Sequence, residues 1–169
     1  ILQDGLAYDR CQVGVVTDML GVEGLAEFDV HEQEQMTKVL RTQVDVVLPS
    51  GAAVLHAADA QVADLARLCD GGVVLYAQDG ELAAIAEHRA SDQGRAVFVK
   101  AGRVVLATGS SELAIAPLSA LCFGRSSTPP DVTALLAAIG TAWALDIAPD
   151  LIVAGIKTFE PDHTAAQAS

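Results

Sequence analysis

His56 and Asp59 are the side chains best placed to do chemistry. They follow the apolar run Ala52–Leu55 by one and four residues. In an open α/β sheet, ligands sit outside the carboxyl ends of the strands. A histidine there can stack on or hydrogen-bond a base, and it can equally serve as a structural group whose ring nitrogens find backbone partners. Cys11, Cys69 and Cys122 are odd in number, widely spaced and set among apolar residues. That pattern fits reduced, buried thiols and neither a disulfide framework nor a zinc site. His31, His88 and His163 fall at a helix start, on a helix face and in the tail. Asp9-Arg10 reads as a structural ion pair or a loop contact. No glycine is followed by Lys and then Ser or Thr, so the sequence holds no GxxxxGK[ST] loop to cradle phosphates.

These groups hang on an alternating pattern. Val13 to Thr17 is a valine-rich run that reads as a strand buried on both faces. Gly21 and Gly24 mark a loop. A helix is expected from His31 to Val44, with Met36, Val39, Leu40, Val44 and Val47 as its apolar stripe and Pro49 and Gly51 as its stop. A strand at Ala52–Leu55, a helix over Ala57–Leu68 and a strand at Val73–Tyr76 continue the alternation, which forces parallel pairing through right-handed crossovers.

After a helix near Glu81–Arg89 the period changes. Arg95–Lys100 and Arg103–Ala107 are separated by Ala101-Gly102, the spacing of a tight hairpin, and Glu112–Pro117 adds a third strand. This antiparallel patch is expected at one edge of the sheet. Gly124–Pro130 reads as a polar loop, Asp131 as the N-cap of an alanine-rich helix ending near Leu145, and Pro149 as the start of a last helix to about Lys157. The fold class is therefore α/β, a mainly parallel sheet with flanking helices and a small antiparallel hairpin patch. One domain is expected over residues 1–159, followed by a disordered tail over 160–169.

Composition narrows the function classes. The chain has 169 residues, 51% apolar and 4% aromatic, so Ala, Val and Leu must fill the core. A net charge of −12 with no cluster of Lys and Arg excludes nucleic acid, which is held by displacing counterions from phosphates, and disfavours anionic membranes. No apolar run approaches roughly 18 residues and nothing at Ile1 resembles a signal peptide, which leaves the cytoplasm as the default.

Three blocks point to a family: ILQDGLAYDRCQVGVVTD at the start, VLPSGAAVLHAAD from Val47 to Asp59, and LLAAIGTAWALDIAPDLIVAGIKTF from Leu135 to Phe159. EHRA from Glu87 followed by GRAVFVKAGRVVLA adds a fourth. In order and spacing they resemble cyanophycin synthetase, a Mur-ligase-like, ATP-dependent family that adds aspartate and arginine, and they match only the later half of its central ATPase domain. The resemblance implies ATP and magnesium as family cofactors and chemistry through an acyl phosphate. It also implies a metal site after the first strand. There Thr17 is kept, Asp18 stands for an asparagine, and Val22-Glu23 stand for Asp-His, so Glu23 is the remaining candidate ligand for magnesium through oxygen.

The family's carbamylated lysine aligns with Leu40, and Lys38 is turned about 200° away on a helix. The adenine-contacting NADD block becomes His56-Ala57-Ala58-Asp59, and the asparagine heading the alanine-rich helix becomes Ala134. Loss of polar groups with retention of the apolar frame implies relaxed selection on chemistry and maintained selection on folding. The resemblance thus predicts a truncated or degenerate domain, silent by itself and without a cofactor of its own, structural or oligomerising. Its alternatives are a fragment of a complete synthetase whose missing half is a partner, and a weak nucleotide-binding module. An uncovered sheet face predicts a homo-oligomer.

Overall fold

The computed structural model describes residues 7–19, 25–121 and 129–158, the side chains of 129–131 excepted. Six strands form one sheet in the order β1-β2-β3-β4-β5-β6: Cys11–Val16, Val47–His56, Gly72–Asp79, Arg95–Lys100, Arg103–Thr108 and Ser111–Pro117. Pairing is parallel from β1 to β4 and antiparallel from β4 to β6, which is the mixed α/β sheet the pattern predicts. The hairpin turn is Ala101-Gly102, with φ of 49° and 71°. Both residues are left-handed, the geometry whose twist matches that of the flanking strands.

Strand order dictates the layers. Each parallel step moves to the next neighbour in the same direction, so right-handed crossovers must put all three connecting helices on one face. These are α1 (Gln33–Asp45), α2 (Ala60–Asp64, running into a 3-10 turn at Leu65–Leu68) and α3 (Ala83–Arg89). Val44, Val62, Leu65 and Ile85 from these elements pack with Val16, Leu55, Leu75 and Phe98 of the sheet. The other face would be bare. It is covered by α4 (Pro129–Ala144) and α5 (Pro149–Thr158), whose Leu135, Leu136, Ile139 and Ile152 pack on Val54, Val74, Tyr76 and Val97.

Small residues set the layer spacing. A Cβ at Gly140 of α4 would meet Val54 Cγ1 at 3.1 Å, so glycine lets that helix lie close on the sheet. Leu136 and Ile139 beside it are fully buried, each contributing about 1.5–3 kcal/mol of apolar burial. Arg95 lies 5.3 Å from the Trp143 ring and ties β4 to the end of the same helix. No helix among the described residues is long and apolar enough to cross a membrane.

Four expectations are corrected. Pro49 and Gly51 do not separate a helix from a strand; they lie inside β2, which starts at Val47. The β1–β2 register jumps there from Cys11↔Val47 to Val13↔Ala52, and β2 bulges. The helix expected over Ala57–Leu68 begins at Ala60 and tightens into a 3-10 turn after Asp64. Asp131 lies inside α4, which opens at Pro129, since proline's fixed φ and missing N–H suit a first helical turn. Cys11 and Cys69 are free but only partly buried. Burial first, and nearby Cys69 second, raise the Cys11 thiol pKa, which keeps it protonated. Cys122, His163, the Gly21–Gly24 segment and the tail from residue 160 lie outside the described residues.

Candidate functional site

Thr17 and Asp18 follow β1 directly, His56 ends β2, and Tyr76 and Gln78 lie in the last turn of pleat of β3. These are the carboxyl ends of three adjacent parallel strands. Odd residues of β1 and even residues of β2 and β3 share the α4 face, so Thr17, His56, Tyr76 and Gln78 point the same way. With Asp18 and with Thr133 and Ala134 of α4 they line an open cleft of about 480 Å³.

Register sets its inner wall. His56 pairs with Tyr76 across the β2–β3 ladder, and their rings stack with centroids 5.1 Å apart and planes 15° apart. His56 Nδ1 lies 3.0 Å from the Thr17 carbonyl oxygen. A carbonyl only accepts, so Nδ1 carries a proton in this contact. Tyr76 is fully buried and its hydroxyl has no hydrogen-bond partner among the described residues. Burial, with a smaller contribution from the charge of Asp18, raises its pKa, so the phenol remains an O–H donor. Gln78 Nε2 donates to Thr133 Oγ1 at 3.0 Å and fastens β3 to α4.

The candidate residues divide accordingly. Thr17, Asp18 and His56 come together in the cleft, whereas Asp59 stands apart from it. Asp59 Oδ1 accepts from the backbone N–H groups of Gln61, at 2.9 Å, and Val62, at 3.3 Å, which makes its carboxylate the N-cap of α2. Glu23 lies outside the described residues. Thr17 Oγ1 donates to Asp18 Oδ2 at 2.9 Å. Among the described residues no group of three or more His, Cys, Asp or Glu converges.

Lys38 lies on the exposed side of α1, 3.5 Å from Glu34, while Leu40 packs toward the core. His31 contacts Asp29 Oδ1 at 3.3 Å, and His88 Nε2 donates to the Val73 carbonyl at 3.2 Å. Asp9 and Arg10 are exposed and make no ion pair among the described residues. Sequence reasoning missed Tyr76, Gln78 and Thr133 as lining groups. The parity of Tyr76 and Gln78 with His56 on the adjacent strand is the signal that points to the first two.

No family model matches the chain. Curated relatives do, and two of them are the following. Cyanophycin synthetase of Synechocystis sp. is 32% identical over 160 residues, covering 94% of this chain and 18% of the relative. That of Crocosphaera subtropica is 30% identical over 161 residues, covering 95% and 18%. The chain thus spans about a fifth of the length of the curated relatives it matches. MurF from Acinetobacter baumannii superposes with a TM-score of 0.57 at 16% identity, over 88% of this chain and 29% of the other, a likeness of fold. The two likenesses, one of sequence and one of backbone, meet on the same segment: the chain has a partial Mur-ligase-like fold and is similar in sequence to a segment of cyanophycin synthetase.

Proposed function

We propose that this polypeptide is a structural, self-associating remnant of a Mur-ligase-like domain, silent by itself in ATP-driven ligation. The cleft carries the reading. Phosphoryl transfer needs backbone amides, a lysine and a metal to neutralise the charge spreading over the transferred group. The cleft presents a carboxylate, a histidine tied to Thr17 and a neutral phenol, and none of its lining groups among the described residues is Lys or Arg. The sequence also holds no GxxxxGK[ST] loop. ATP turnover and calorimetry with ATP and magnesium on this 169-residue polypeptide test the reading. Neither turnover nor heat at micromolar nucleotide is expected; hydrolysis would overturn silence, and tight binding would make the cleft a nucleotide module built on His56.

A second reading is favoured by coverage, because 94% of this chain aligns within 18% of a relative. In it the same fold is one segment of a complete ATP-dependent synthetase, with the phosphate loop and a cytoplasmic reaction supplied by other parts of that protein. The coding sequence before Ile1 decides: a GK[ST] loop in frame there supports this reading, and an unrelated sequence removes it.

A further inference from the structure

We draw no further inference here: the strongest candidate, the open cleft at the carboxyl ends of β1, β2 and β3 with the buried Tyr76 side chain in its wall, belongs to the site already described.

Discussion

The His56 ring joins two strand ends: its Nδ1–H donates to the Thr17 carbonyl at 3.0 Å while its face lies on Tyr76, 5.1 Å between centroids. Hydrogen bond and stack together fix the exit of β1, and hence where Asp18 stands. His56→Ala removes both. The hydrogen bond and the aromatic pair are each worth on the order of 1 kcal/mol, so a loss of about 2 kcal/mol in urea unfolding is expected. A loss below about 0.5 kcal/mol, within the range of ordinary surface substitutions, would mean that the ring does not hold this end of the sheet.

Tyr76 leads to the opposite sign. Its hydroxyl is buried without a partner among the described residues, and a buried donor left unpaired costs about 1–3 kcal/mol. Tyr76→Phe keeps the ring, its stack and its packing while deleting that penalty. The variant is expected to be at least as stable as the parent, by up to about 1 kcal/mol in denaturant midpoint at unchanged slope. Destabilisation beyond about 1 kcal/mol would show that the phenol has a partner in solution.

Asp59 separates a cap from a ligand group. Its carboxylate accepts from two backbone N–H groups at the start of α2, so Asp59→Ala is expected to lower stability by about 1 kcal/mol. Asp59→Asn, which still offers an oxygen to the same donors, is expected to recover most of the loss. The comparison is read in thermal and urea unfolding. Equal losses in the two variants would sink the cap assignment.

Much of this molecule was legible from pattern, and the misreadings share a cause. Valine-rich runs and their helical spacers give the parallel half, and Ala101-Gly102 gives the hairpin, because period and turn chemistry are local properties. Pro49 and Gly51 misled because their role is not local. A Cβ at Gly51 would collide with the Gln12 carbonyl, so that glycine marks where β1 passes close to the bulge, a contact between distant segments. Asp131 misled in a similar way, since Pro129 rather than the acid opens α4. In the cleft, residue type singled out His56, but its company depended on register: Tyr76 faces it only because β2 and β3 pair His56↔Tyr76. Asp59, three residues from His56, is drawn off by the helix it caps.

Gly14 offers a test of layer packing. A Cβ there would run into the Gln43 carbonyl of α1 and lie 2.9 Å from Val47 Cγ2. Neither is the free end of a flexible side chain, so the helix must shift to admit it. Gly14→Ala is expected to destabilise by about 1–3 kcal/mol, the usual penalty of overpacking. A neutral result in urea unfolding would mean that α1 and β1 do not lie this close.

The antiparallel patch is held by charge, and pH should release it. Arg89, only 16% exposed, places Nη1 3.1 Å from Glu112 Oε1, donates from Nε to the Gly109 carbonyl at 2.9 Å and lies 5.3 Å from the Phe98 ring centre. Lys100 Nζ donates to Glu112 Oε2 at 2.7 Å. The hydrogen bond from Lys100 first, with a smaller one from Arg89, holds the Glu112 carboxyl below its ordinary range. A carboxylate whose folded pKa is depressed binds its proton more readily in the unfolded chain. Its contribution is therefore complete above the ordinary glutamate pKa and is lost as pH falls through the lowered folded value. In Glu112→Gln that contribution is absent at every pH. The variant is expected to be less stable than the parent near neutrality, by about 1 kcal/mol, and the gap is expected to close as the parent is acidified. Arg89→Leu, which also strands the Gly109 carbonyl and bares Phe98, is expected to lose about 1.5–3 kcal/mol at neutral pH. Parallel urea titrations of parent and Glu112→Gln across the acid range check the sign: a gap that stays constant, or widens on acidification, would mean that the Glu112 charge does not hold β6 in place.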